Sequence, residues 1–232
     1  MRHLRHLSSL GIGILILCLP ASSVRAANIL LNGSFDVGTY SFGGDGGQDL
    51  PPGSTTITGW KVITNDVAPI SISNAFSIIP EDGTVSLDLQ SYSDGFPYGG
   101  VQQTIPTISG AKYALSFWVG VQNSVGIGVG PASVRATAGA TTNDFTNTLA
   151  GPGNQWQQFT MNFVAANPTT DISLAGLSTQ GGAYIGLDNA DVELISVPEP
   201  TGLSLALIAA VILFIGARKI RTAATVPSGA CS

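Results

Sequence analysis

The central part of this 232-residue chain contains neither cysteine nor histidine. Both histidines, His3 and His6, lie near the amino terminus, and the two cysteines, Cys18 and Cys231, also lie outside residues 27–196. Cysteine nucleophiles, Ser-His-Asp triads and histidine-ligated zinc sites are therefore excluded from the central part. Because no disulfide can hold this region together, it must be stabilised by a hydrophobic core of its own.

Basic residues are almost as scarce in the same region. Residues 27–196 contain Lys61, Lys112 and Arg135 against 13 aspartates and glutamates, which gives a net charge of −10. Proteins bind nucleic acid largely by neutralising its phosphates with lysine and arginine. A nucleic-acid partner is therefore excluded.

The amino-terminal segment, residues 1–26, has the three-part layout of a secretory signal peptide. A basic start is followed by an apolar run over residues 10–19 and then by small residues. Cleavage after Ala26 places small residues at both recognition positions, so the mature chain is predicted to begin at Ala27. A lipid anchor on Cys18 is the alternative, but leucine precedes this cysteine where a small residue is required.

The carboxyl-terminal part contains a second apolar segment, at about residues 201–217. Its roughly 16 apolar residues would rise about 24 Å as a helix, slightly less than the roughly 30 Å of a membrane's hydrocarbon core. A buried core helix is the alternative, but it would show a polar stripe, and this segment contains only Ser204. Basic residues flank both apolar segments on their outer ends, which favours cytoplasmic termini. We therefore predict a single transmembrane helix, followed by a cytoplasmic tail over residues 222–232.

A proline-glutamate-proline triplet directly precedes this helix, and a basic cluster follows it. These residues are Pro198, Glu199, Pro200, Arg218, Lys219 and Arg221. In this order the three parts closely resemble the PEP-CTERM sorting signal of Gram-negative bacteria, over residues 197–221. The resemblance implies an exosortase as partner, a transpeptidase-like membrane enzyme that cuts near the triplet and releases or re-attaches the exported part. The tail of eleven residues departs from the family, whose members usually end soon after the arginines.

The central region shows the period-two alternation of β-strands. Residues 111–119 place Tyr113, Leu115, Phe117 and Val119 on one face. Further strands are predicted at residues 29–31, 56–62, 70–72, 84–89, 101–105, 132–137, 156–163, 171–174 and 191–195. Clusters of turn-forming residues separate them, and no stretch of ten or more residues has a helical period. The pattern predicts an all-β fold, an antiparallel jelly-roll β-sandwich over residues 27–196.

Several short stretches of this region resemble the galactose-binding-like β-sandwich of carbohydrate-binding modules. In chain order they are residues 28–36, 59–60, 83–89, 100–105, 110–117, 156–159 and 187–194. Their order and spacing match that family over nearly the whole mature domain. The resemblance implies the fold and, much less specifically, an extracellular polysaccharide as ligand.

The same family commonly holds a structural calcium ion between an acidic residue that closes the first motif and an aspartate of the last strand. These positions are Asp36 and Asp188 here. Calcium takes six to eight oxygen ligands and could fix the ends of the sandwich. The family's usual glutamate is replaced by the shorter Asp36, and the alternative is that both aspartates only form hydrogen bonds in turns.

A sugar site needs an exposed aromatic ring beside polar groups, because the ring stacks on a pyranose while the polar groups bind hydroxyls. One loop and one strand offer candidates: Tyr92, Asp94, Phe96, Tyr98 and Trp118. Trp118 alternates away from the apolar face of its strand. The alternative is that these rings cap the ends of the core.

No feature of the sequence selects a catalytic pair among the carboxylates. A glycosidase needs two, about 5–10 Å apart, but Glu81, Asp82, Asp88 and Asp94 occupy positions typical of a solvated acidic surface. We therefore expect no enzyme. The sequence predicts an exported protein that is tethered to the inner membrane, with its β-sandwich in the periplasm, and that reaches the cell surface or the exterior after processing. Its expected role is structural or binding, in the envelope or matrix, with a dedicated carbohydrate-binding module as the alternative.

Overall fold

The computed structural model describes residues 27–92, 95–123, 130–179 and 184–197. In this part of the chain, no helix is long and apolar enough to cross a membrane. The predicted signal peptide with Ala26, the sorting triplet, the helix at about 201–217 and the basic cluster lie outside the described residues. They stay predictions.

The described residues contain ten β-strands in two antiparallel sheets. In chain order they are β1 (Lys61–Ile63), β2 (Ala68–Ser71), β3 (Val85–Asp88), β4 (Gly100–Pro106), β5 (Lys112–Asn123), β6 (Ala132–Ala138), β7 (Thr141–Asn147), β8 (Gly153–Val164), β9 (Thr169–Thr179) and β10 (Gly186–Ser196). The first sheet has the order β1-β4-β9-β6-β7, and the second has the order β2-β3-β10-β5-β8. The predicted all-β sandwich of two antiparallel sheets is thus confirmed.

The core lies between the two sheets and follows the alternation of the sequence. Tyr113, Leu115, Phe117 and Val119 on β5 are all buried, as predicted. The ring of Phe117 lies edge-on to that of Phe145 on β7, with ring centroids 5.4 Å apart. The opposite face of β5 therefore points away from the core, and it carries Ser116 and Trp118.

Two predicted strands differ from the structure, and one observed strand was not predicted. Residues 29–31 form no strand, although Ile29 donates its N–H to the carbonyl of Val192. Of residues 56–62 only the last two are in a strand, because the chain turns between Ile57 and Trp60, with Gly59 at a φ of 85°, before β1 begins. The prediction missed β7, in which Phe145 is the only large apolar residue.

A segment that we call the strap, residues 76–82, crosses the outer face of the second sheet. Side chains of the sheet hold its backbone: the indole Nε1 of Trp156 donates to the Ile79 carbonyl at 2.9 Å, and the Ile79 N–H donates to Asn154 Oδ1 at 2.9 Å. Trp156 lies flat on β5 because Gly120 is below it, where a Cβ would come within 2.6 Å of the ring. The strap therefore covers one end of this face and leaves the other end open.

Candidate functional site

A cavity of about 520 Å³ occupies the open part of the second sheet's outer face. Its lining combines one indole ring with polar side chains from three strands and from the amino-terminal segment. The lining residues are Trp118 with Asn28, Ser116, Gln158, Asn189, Asp191 and Glu193. We call this cavity the Trp118 pocket.

Strand register explains why residues so far apart in sequence meet in this pocket. Ser116 and Trp118 are two residues apart on β5 and so share its outer face. Trp118 lies opposite Gln158 of β8 on one side, and Ser116 lies opposite Asp191 of β10 on the other. The pocket is therefore built on the strands of a rigid sheet.

The side chain of Asn28 forms hydrogen bonds with β10 beside the pocket, where the pairing of this strand is irregular. The register of β10 against β5 shifts between Asp188 and Asp191, which marks a β-bulge. The side chain of Asn28 replaces the missing strand bonds: its Nδ2 donates to the Ala190 carbonyl at 3.2 Å, and its Oδ1 accepts the N–H of Val192 at 3.0 Å. This bonding explains how the amino-terminal segment docks on the sheet without forming a strand.

The pocket is rich in acceptors. Two of its lining residues are carboxylates, three are amides and one is a hydroxyl, and no lysine or arginine is among them. A half-buried indole beside such groups can stack on an apolar sugar face while the oxygens accept hydrogen bonds from hydroxyls. The arrangement fits a hydroxyl-rich ligand without negative charge.

Three of the other predicted sugar-binding residues, Tyr92, Phe96 and Tyr98, lie elsewhere in the fold. The fourth, Asp94, lies outside the described residues. Phe96 is 71% exposed, and its ring lies edge-on to that of Tyr98 at 6.1 Å. Tyr98 packs against the core beside Gly176 of the first sheet. The structure therefore separates Trp118 from this loop, and sugar binding by the loop stays a prediction.

Tyr92, the remaining predicted residue, is bonded within the loops. Its hydroxyl donates to Asp45 Oδ2 at 3.0 Å, and its ring lies edge-on to Phe76. Desolvation and the Asp45 carboxylate raise the pKa of Tyr92 to about 12, so the hydroxyl is protonated at neutral pH. Tyr92 is 46% exposed, so sugar binding by this residue and the alternative that it caps the end of the core both stay predictions.

Asp36 and Asp188, the predicted calcium ligands, accept hydrogen bonds from different residues of one segment, residues 81–85. Asp36 Oδ1 accepts the N–H groups of Thr84 and Val85, at 2.6 and 2.9 Å. Asp188 Oδ2 accepts the N–H groups of Glu81 and Asp82, at 2.7 and 3.1 Å. Asp188 is fully buried, and desolvation raises its pKa to about 8, although the N–H donors act in the opposite direction.

A calcium ion does not fit this arrangement as it stands. Apart from the hydroxyl of Thr84, the groups that bond to the two carboxylates are backbone N–H donors, whereas calcium takes oxygen ligands only. Among the described residues, no group of three or more histidine, cysteine, aspartate or glutamate side chains could hold a metal ion. The geometry fits the alternative of turn hydrogen bonds, and calcium binding stays a prediction.

Asp88 differs from the solvated position expected for it. It is only 6% exposed, and its Oδ1 accepts the N–H groups of Gln90 and Ile185 at 2.9 and 3.1 Å. Burial raises the pKa of Asp88 to about 8, although the backbone N–H donors of Gln90 and Ile185 act in the opposite direction. The expectation of a solvated carboxylate was wrong because Asp88 is enclosed in the fold, where the backbone N–H groups of Gln90 and Ile185 take the place of water.

Sequence reasoning found only Trp118 among the residues of the pocket. A signal for four others existed, because alternation along β5, β8 and β10 places Ser116, Gln158, Asp191 and Glu193 on the outer faces of their strands. No local pattern could have selected Asn28 or Asn189, since their positions depend on the bulge in β10.

Comparison with known proteins gives a family for this fold. The model of CBM_4_9, described as a carbohydrate binding domain, matches residues 27–176. These residues include Asn28, Ser116, Trp118 and Gln158 of the pocket. No curated protein matches the chain.

Solved structures of carbohydrate-binding modules are similar at low identity. One is TmCBM61 in complex with β-1,4-galactotriose, at 13% identity over 73% of this chain and 99% of that chain, with a TM-score of 0.42. A second is the CBM22-1 xylan-binding domain of Xyn10C from Paenibacillus barcinonensis, at 14% identity over 76% of this chain and 100% of that chain, with a TM-score of 0.38. The family match covers well over half of the sequence, and the chain therefore belongs to the CBM_4_9 carbohydrate binding domain family.

Proposed function

We propose that the central domain binds an uncharged extracellular polysaccharide in the Trp118 pocket. The observation that carries this proposal is the half-buried indole of Trp118 in a polar cavity of about 520 Å³, on the outer face of a rigid sheet. The membership of a carbohydrate binding domain family supports the same ligand class. Of the two roles expected from the sequence, these observations favour the carbohydrate-binding module over a purely structural part of the envelope.

The charge of the domain supports an uncharged ligand. Asp191 and Glu193 line the pocket, and the whole central region has a net charge of −10. A uronate or sulfate group would be repelled both in the pocket and on approach, whereas hydroxyls can donate to the carboxylates. We therefore infer that the ligand consists of neutral sugars.

Titration of the full chain with matched oligosaccharides tests this proposal. Tetrasaccharides of glucose, xylose, mannose and galactose serve as neutral probes, and tetragalacturonate serves as the anionic probe. We expect at least one neutral probe to bind about tenfold or more tightly than the anionic one at low salt. The difference should shrink as salt screens the repulsion. Equal or tighter binding of the anionic probe, or no binding of any neutral one, would contradict the proposal.

We further propose that the two ends of the chain deliver this domain to the cell envelope. The triplet Pro198, Glu199 and Pro200, with the helix and the basic cluster after it, supports processing by an exosortase. In a strain without the enzyme, the protein is expected to stay in the inner membrane at a larger size than in the parent strain. Fractionation and immunoblotting measure both properties, and an identical size and location in the two strains would refute the sorting proposal.

A further inference from the structure

The bulge in β10 holds Asn189 at the pocket in an unusual backbone conformation. Its φ of 45° lies in the left-handed region, which non-glycine residues seldom adopt and asparagine adopts more readily than most. Bulges often re-aim a side chain beside a functional site. Here the bulge places Asn189 among the residues that line the Trp118 pocket.

The contact between Asn189 and Glu81 fixes the orientation of the amide. Asn189 Nδ2 lies 2.7 Å from Glu81 Oε2. An ionised carboxylate only accepts hydrogen bonds, so the amide must turn its NH₂ group toward Glu81. The carbonyl oxygen Oδ1 is then the acceptor that Asn189 offers to a ligand.

Glu81 is itself held by contacts that involve no ligand. Its backbone N–H donates to the buried carboxylate of Asp188, and the N–H of Asn189 donates to the other oxygen of the same carboxylate, at 2.7 Å each. The strap that carries Glu81 is also bonded to Trp156 through Ile79. The acceptor is therefore fixed before a sugar arrives, which lowers the entropy lost on binding.

We propose that Glu81 is a positioning residue that orients Asn189 so that its Oδ1 accepts a hydrogen bond from a hydroxyl of the bound sugar. This inference rests on the proposed function of the Trp118 pocket. Glu81 does not touch the sugar and acts through Asn189. The site then prefers a sugar with a hydroxyl at that position over the deoxy analogue that lacks it, because a buried acceptor without a donor is unfavourable.

A set of four variants of the full chain tests this inference, with the tightest-binding neutral tetrasaccharide as probe. Asn189→Gly removes the amide and tolerates the positive φ, so it should weaken binding about fivefold, the effect of one neutral hydrogen bond. Glu81→Ala should weaken binding to a similar extent. Glu81→Gln, which still offers an acceptor to the amide, should bind within about twofold of the parent. The double variant of Glu81→Ala and Asn189→Gly should be no weaker than Asn189→Gly alone, since the two residues act as one unit.

A second probe keeps the test valid if a variant proves unstable. Monodeoxy derivatives of the same tetrasaccharide should include one that the parent binds about fivefold more weakly and that Asn189→Gly does not distinguish from the intact sugar. The inference is overturned if Glu81→Ala or Asn189→Gly binds like the parent, if their losses add, or if Glu81→Gln is as weak as Glu81→Ala. Absence of binding by the parent chain itself would instead refute the proposed function, and this inference with it.

Discussion

Replacement of Trp118 by alanine is expected to weaken binding of the neutral polysaccharide about 30-fold or more. Buried aromatic anchors at the centre of a binding site typically contribute about 2 kcal/mol or more, which corresponds to such a factor. The unfolding free energy should fall by only about 1 kcal/mol, because Trp118 lies on the outer face of β5 and not in the core. Titration calorimetry and thermal melting of the same preparations measure the two effects.

Phe96→Ala is the matched control for this variant. Phe96 is also an accessible aromatic residue that the sequence predicted to bind sugar, but it lies in the loop that packs beside the first sheet. We expect its replacement to leave the affinity within about twofold of the parent. A large loss of sugar affinity with Phe96→Ala and none with Trp118→Ala would show that the sugar binds at the loop and not in the Trp118 pocket.

Replacement of Asp188 by alanine is expected to lower the unfolding free energy by about 3 kcal/mol. Its fully buried carboxylate accepts the backbone N–H groups of Glu81, Asp82 and Asn189, and alanine would leave these donors without an acceptor. For a domain of this size the melting temperature should fall by roughly 6–12 °C. Sugar affinity should fall as well, because the strap and Asn189 lose their common anchor.

Two further measurements accompany the Asp188 experiment: a control variant at another aspartate, and melting in the presence of a chelator. Asp171→Ala removes an exposed aspartate that accepts a bond from Thr104 on the first sheet, and it should change stability by only about 0.5 kcal/mol. A chelator tests the calcium prediction: a lower melting temperature for the parent but not for Asp188→Ala would establish a metal at this residue. An unchanged melting temperature in both would leave hydrogen bonding as the role of Asp36 and Asp188. If Asp171→Ala lowered the unfolding free energy as much as Asp188→Ala does, this result would contradict the anchoring role of Asp188.

The sequence was sufficient to predict the sandwich because its strands alternate cleanly. Tyr113, Leu115 and Phe117 are separated by small or polar residues, and such a pattern fits only a strand with one buried face. The pattern fails at β7, an edge strand that packs a single large apolar residue, Phe145, against the core. It also fails where side chains replace strand bonds, as Asn28 does beside β10.

The candidate site was less predictable than the fold. Trp118 was found because it alternates away from the core, and the same rule would have found Ser116. Asn189 was not predictable, since it reaches the pocket through a bulge and is oriented by Glu81, which is 108 positions away in sequence. The burial of Asp88 was missed for a similar reason, because no local pattern shows that Ile185, 97 positions away in sequence, donates its backbone N–H to this carboxyl.

The position of a bound neutral oligosaccharide tests most directly whether the Trp118 pocket is the sugar site. A crystal structure of the protein with the tightest-binding tetrasaccharide, or intermolecular NMR contacts in solution, would supply it. We expect a sugar ring stacked on the indole of Trp118, with a hydroxyl donating to Asn189 Oδ1. A sugar bound instead to the loop around Phe96 and Tyr98, with the Trp118 pocket empty, would contradict the proposal.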